Sequence, residues 1–200
     1  MFLDRFGDHL KKLDSLTLDA KFNGAVGNYN SHVYAMPEVE WMEYSKNLIN
    51  QFGFNTKYNT NQRGPMTEIV YFFQVFQNIN TMLIDFCRDM WEYASRGNIR
   101  YKKVEGNVGS SVMPQKVNPR QFEDAISLLR LANANIDEIV RNSDISRLQR
   151  DMTGHAMERS YGETFGKTLA GRTNIVEALK RVEVDEEFNL NELNQHPECI

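Results

Sequence analysis

MTEIVYFFQVFQNINTMLIDFCRDMWEYASR, residues 66–96, runs without a proline or a glycine. Within it Ile69, Phe72, Phe73, Phe76, Ile79, Leu83, Phe86, Met90 and Tyr93 recur at three- and four-residue intervals, the period of one helix face. At ~1.5 Å per residue such a helix is about 45 Å long, more than a compact domain of this size needs. Val70, Ile84 and Trp91 put apolar surface off the main stripe. A helix apolar on more than one face needs neighbours on more than one side. That predicts a long-helix bundle, either oligomeric or with this helix at the centre of a monomer. Cys87 falls inside the pattern as a buried thiol.

Working outward, Gly97 ends the helix, and residues 98–118 read as a long loop. Arg120 to about Arg141 is helical again, with Phe122, Ile126, Leu129, Leu131, Ile136 and Ile139 expected in the core. The polar stretch 142–153 precedes a helix from about Gly154 to Arg181, and residues 182–200 read as an acidic, weakly structured tail with Phe188, Leu190 and Leu193 available to dock. Upstream, Phe2, Leu3, Phe6, Leu10 and Leu13 form a helical stripe over 2–15 that starts without a cap, as if partway along an element. Residues 17–34 and 53–65 are polar and glycine-bearing loops, and Pro37 opens a helix to about Gln51. Strand signals are nearly absent. The expectation is an all-α fold with one helical domain over residues 1–200.

The composition is that of an ordinary soluble globular chain: 200 residues, 41% hydrophobic and 25% charged. A net charge of −4 and the lack of any large basic cluster argue against a nucleic-acid partner. Cys87 and Cys199 are too few for a disulfide framework or a zinc site. No apolar run approaches a membrane span and no signal peptide opens the chain, so the expected setting is reducing and cytoplasmic.

The densest chemistry lies in GSSVMPQKVNP, residues 109–119. Pro114 forbids helix continuation, and Asn118 before Pro119 suits an N-cap with proline at the first helical position. Two hydroxyls, a lysine and carboxamides leading onto a helix N-terminus can hold anions and move protons; the alternative is an ordinary surface loop.

The pattern Gly109-Ser110-Ser111-x-Met113-Pro114-x-Lys116-x-Asn118-Pro119 resembles the signature loop of the fumarase/aspartase superfamily of lyases. Residues 21–30, KFNGAVGNYN, and 146–153, SRLQRDMT, resemble segments of the bacterial-type adenylosuccinate lyase family, and the likeness runs over nearly the whole chain. The resemblance implies a truncated central helical bundle and cofactor-free, metal-free β-elimination of fumarate. Adenylosuccinate would give AMP, and the succinyl-carboxamide ribotide of purine synthesis would be a second substrate. Ser110 would be the base, an unusual role that needs neighbouring cations and helix-terminal amides to stabilise the alkoxide. Lys116 and Asn118 would grip the succinyl carboxylates, with Ser111 and Met113 beside them. Glu123 matches a glutamate supporting the loop, or is an exposed first-turn acid. Gln62 matches a residue contacting the succinyl group, Lys21 and Asn23 match a loop near the site, and His32 matches a structural position. Arg63-Gly64-Pro65-Met66-Thr67 departs from the pattern, lacking a basic-acidic pair after the proline.

Arg150, His155 and Arg159 form a second group. On one straight helix the two arginines would point about 180° apart, at ~100° per residue. They converge only if the helix begins after Arg150, with Asp151 or Thr153 capping. By resemblance this group holds the 5′-phosphate, with His155 where the family usually has serine; otherwise these are scattered surface arginines. The family's general-acid histidine segment lies upstream of Met1, so the isolated chain is expected to be inactive. The resemblance also implies a homotetramer whose sites draw on three chains. Argininosuccinate lyase, fumarase and aspartase share the loop and are the rival enzymes. A non-catalytic helical assembly protein is the rival from another class.

Overall fold

A computed structural model describes residues 1–64, 66–102, 119–196 and 198. The proline- and glycine-free stretch 66–96 forms one helix, α4, Thr67–Arg96. The other helices are α1 (Phe2–Asp14), α2 (Asn30–Ala35), α3 (Trp41–Gln51), α5 (Arg120–Asn142), α6 (Thr153–Arg159), α7 (Tyr161–Leu179) and α8 (Glu186–Gln195). Four very short strands, β1 (Asp19–Ala20), β2 (Asn55–Thr56), β3 (Ile99–Tyr101) and β4 (Val182–Val184), and one 3-10 turn (Arg147–Gln149) complete the described elements. The fold is all-α. Among the described residues no helix is long and apolar enough to cross a membrane. The chain gathers into two compact units, and α4, α5 and α7 each contribute to both.

The first unit holds residues 3–79 and 134–163. Its core is Phe73, Ile136 and Ile139, with Ile69, Phe72, Phe76, Val140 and Tyr161 packed around them. Asp144 caps the start of α4: one carboxylate oxygen accepts from the Met66 amide (2.7 Å), the other from the Thr67 hydroxyl (3.3 Å). The region 17–34, expected as a loop, contains β1, paired in parallel with β2, and the short helix α2. Pro37 does not open α3. The Val39 amide turns back onto the Met36 carbonyl, and helical bonding starts with Tyr44 N–H on Glu40. His32 packs edge-on against Trp41, Phe22 and Tyr29, as a structural residue does.

The second unit holds residues 80–133 and 164–200. Phe122, Ala125, Leu129 and Ala132 of α5 are fully buried, and Thr164, Thr168, Gly171, Ile175 and Ala178 form the matching seam of α7. The spacing alternates three and four, as knobs-into-holes packing requires. Gly171 sets the approach, since a Cβ there would lie 2.9 Å from Leu129 Cγ. Cys87 is buried in this core, as expected. Asn80, also fully buried, donates to Asn133 Oδ1 (3.1 Å) and Thr168 Oγ1 (3.0 Å), joining three helices through one carboxamide. Leu131 and Tyr93, expected inside, are 54% and 46% exposed, because each lies beside its seam rather than on it.

The structure departs from two further expectations. The helix expected from Gly154 to Arg181 breaks at Ser160, whose amide and hydroxyl both turn back onto the Met157 carbonyl (2.9 and 2.6 Å). This local bonding tightens the last turn of α6 in place of helix continuation. The tail is structured: β4 pairs antiparallel with β3, Tyr101 opposite Val182, and α8 follows. Asp185 caps α8 by accepting from the Phe188 amide (3.1 Å) and pairs with Arg100. That cap, the pairing of β4 with β3 and the bonds between Asn98 and Asn189 hold the tail in place.

Candidate active site

Lys21 builds the Gln62 loop. Its ammonium donates to the carbonyls of Gly24 (3.0 Å), Asn61 (2.5 Å) and Gln62 (3.0 Å), so all three protons are used by the backbone. Burial pushes its pKa down. Asn23 is fully buried; its amide donates to Tyr58 O (2.8 Å), Thr60 Oγ1 (2.8 Å) and, more weakly, Gly27 O (3.3 Å). Gly27, at φ +78°, lets the backbone come this close, since a Cβ there would lie 1.8 Å from the Thr60 carbonyl oxygen. Lys21 and Asn23 therefore hold the loop, while the Gln62 side chain stays exposed.

Arg63 leads from this loop to α6. Its Nη2 donates to Glu158 Oε1 (2.9 Å), and Glu158 Oε2 lies 3.5 Å from His155 Nδ1, an ion-pair distance. The Arg63 side chain is only 13% exposed. Its guanidinium lies over buried Gly154, where a Cβ would fall 2.1 Å from Nη1 and 2.6 Å from Cζ.

α6 begins after Arg150, as convergence of the two arginines requires. Ahead of it, Ser146–Asp151 closes around the Asp151 carboxylate, which accepts from the amides of Arg147 (2.7 Å) and Thr153 (3.3 Å) and the hydroxyl of Ser146 (3.4 Å). The Arg147 amide above all holds this carboxyl below the usual range. Leu148 takes a left-handed conformation, φ 52°, that leucine rarely adopts. The tight loop leaves Arg150 exposed; Arg159 is also exposed, and the His155 side chain is 49% exposed.

In the second unit Glu123 lies in the first turn of α5 and accepts from Trp91 Nε1 (3.0 Å). The pair lines an open cleft of about 380 Å³ together with Arg88, Glu92 and Ile126. Ser110, Ser111, Met113, Lys116 and Asn118 lie outside the described residues. Sequence reasoning did not pick out Arg63, Glu158 or Trp91. The available signals were a guanidinium where the loop departs from the family pattern and a glycine in the first turn of α6.

Residues 2–135, a stretch that includes the Gly109–Pro119 motif, match the model of a family described as Lyase. The chain belongs to this lyase family. Adenylosuccinate lyase of Haemophilus influenzae is 35% identical over 98% of this chain and 43% of its own length. Its Escherichia coli K12 counterpart is 35% identical over 95% and 42%. The Dictyostelium discoideum adenylosuccinate lyase is 34% identical over 93% and 41%. The chain thus spans less than half the length of the curated relatives it matches. A solved fumarate lyase/delta crystallin from Brucella melitensis has the same lyase fold, with TM-score 0.63 over 92% of this chain and 42% of that one, at 19% identity.

Proposed function

We propose that the whole protein to which these residues belong is an adenylosuccinate lyase, cleaving fumarate from adenylosuccinate to leave AMP, and likewise from the succinyl-carboxamide ribotide of purine synthesis. The observation that carries the reading is the persistence of about 35% identity to enzymes of that name over 98% of this chain. The geometry adds support, since the Gln62 loop and the His155 helix meet through Arg63 and Glu158. Ser110 takes the Cβ proton; Lys116 and Asn118 hold the charge that develops on the succinyl carboxylate. Glu123, fixed by Trp91, supports the loop. Gln62 contacts the succinyl group on a loop set by Lys21 and Asn23, and Arg150, His155 and Arg159 hold the phosphate. The chemistry runs without a metal or cofactor, in a cytoplasmic homotetramer. These 200 residues span under half the length of the relatives of that name, and the proposed activity belongs to the whole protein.

Fumarate release from adenylosuccinate, argininosuccinate, malate and aspartate by the whole protein tests the reading. Activity on adenylosuccinate, lost in Ser110→Ala and largely kept in Ser111→Ala, is the expected result. Activity confined to another of these substrates, or none on any, would overturn it.

A further inference from the structure

We infer that Arg63, acting through Glu158, is a positioning residue for the phosphate grip and the joint between the Gln62 loop and His155. The inference rests on the phosphate reading of α6 given above. Five contacts carry it. Lys21 fixes the carbonyls of Asn61 and Gln62, which sets where Arg63 leaves the loop. Arg63 Nη2 then holds one oxygen of Glu158 at 2.9 Å, and the other oxygen lies 3.5 Å from His155 Nδ1. Finally, the guanidinium occupies space that only a glycine at 154 leaves open.

A surface pair within one helix turn would need none of this. His155 and Glu158 are three apart on α6 and can meet unaided, but both their side chains are more than a third exposed, and exposed pairs hold geometry poorly. Arg63 changes that by bringing a largely buried cation from a residue 95 positions away in sequence. A carboxylate held at one oxygen by a fixed guanidinium has a defined direction for the other. Nδ1 thereby faces Glu158, which turns Nε2 away from the carboxylate and leaves it for a ligand. Arg63 also separates two jobs: its own charge is met by Glu158, while Arg150, Arg159 and His155 are left for the phosphate.

The test compares AMP with adenosine, by calorimetry, in the whole protein and in Arg63→Met, Arg63→Lys and Glu158→Gln. The ratio of the two affinities isolates the phosphate. Expected is a roughly tenfold fall in that ratio for Arg63→Met and Glu158→Gln, the scale of one charge-assisted hydrogen bond, with partial recovery in Arg63→Lys. Ring-nitrogen resonances of His155 should move in ligand-free Arg63→Met. Parallel losses for AMP and adenosine would mean a scaffold role and overturn the inference, as would an unchanged ratio or unmoved His155 signals. A native protein that does not prefer AMP over adenosine would defeat the phosphate reading itself, and with it this inference, before any substitution is made.

Discussion

Gly154→Ala isolates the Arg63 joint more sharply than removing Arg63 does. The position has no left-handed backbone angle, so alanine fits it conformationally, and by helix propensity alone the change should stabilise by about 0.5–1 kcal/mol, less in a first turn. The added methyl would lie 2.1 Å from Arg63 Nη1, 2.4 Å from Nη2 and 2.6 Å from Cζ. Three atoms of one planar group cannot all clear it by a small shift, so the guanidinium must swing out and release Glu158. A hydrogen bond between charged groups contributes ~1.5–3 kcal/mol. With the Glu158 side chain 37% exposed, solvent screening reduces this to about 1–2 kcal/mol. The net expectation is a loss of about 0.5–1.5 kcal/mol. In an Arg63→Ala background the obstacle is gone, and the same substitution should turn neutral or stabilising. Urea unfolding of the four proteins of this cycle, at unchanged m-value, measures a coupling of about 1–2 kcal/mol. A stabilising Gly154→Ala in the native background, or a coupling within about 0.3 kcal/mol of zero, would refute the placement of Arg63 on Gly154.

Three further expectations follow from the packing and the buried charges. Asn80→Ala should cost about 2–4 kcal/mol in urea unfolding, because it opens a cavity and strips Asn133 and Thr168 of a shared donor; a loss under about 1 kcal/mol would count against the three-helix link. Burial pushes the Cys87 thiol up to about 12, so in Cys199→Ser a disulfide reagent should find no reactive thiol until denaturant is added; prompt reaction in the native protein would contradict the burial. Burial, and then the bond shared with Asp19, push the Glu68 carboxyl up. A group raised on folding favours the native state below its unfolded pKa and loses that contribution as pH rises through the folded value. Glu68→Gln should therefore gain stability relative to native between about pH 4 and about pH 7, and a thermal-melt difference that stays flat or reverses would argue against it.

How far the chain could be read in advance depended on whether a feature is local. α4 is legible because its periodicity is long and unbroken. The seam of α5 was half legible, because burial follows position rather than side-chain size. Ala125 and Ala132 are sealed while Leu131, one step before the seam, is exposed. The break at Ser160 has no proline, and rests on a hydroxyl choosing its own helix carbonyl. The tail carried its signal in Asp185, three residues before the Phe188 amide it accepts from, outweighed in the reading by its acidic composition. The Gly109–Pro119 motif carries the resemblance to the superfamily, and its residues 109–118 lie outside those described. Glu158 could not be linked to Arg63 from sequence, since nothing local joins residues so far apart.

The same division shows why the site-bearing residues sit where they do. The long helices supply burial: Phe122, Leu129, Ile136 and Ile139 have no exposed surface, and none of the candidate ligand-binding groups comes from that seam. The groups proposed to meet substrate come instead from connections or helix ends: Gln62 on a loop, Arg150 after a tight turn, His155 and Arg159 on a seven-residue helix. A helix that short is marginal in water without tertiary support, so polar contacts must supply the order. On the Gln62 side that order comes from Lys21 and Asn23, and ahead of α6 from Asp151. Arg63 and Glu158 are the contacts that tie the two sides together. Loops positioned by a rigid scaffold can be precise only where each has such an anchor. In the proposed reading, the partly buried Lys21 ammonium and Arg63 guanidinium and the buried Asn23 carboxamide act in positioning, and the exposed cations are left to act in binding.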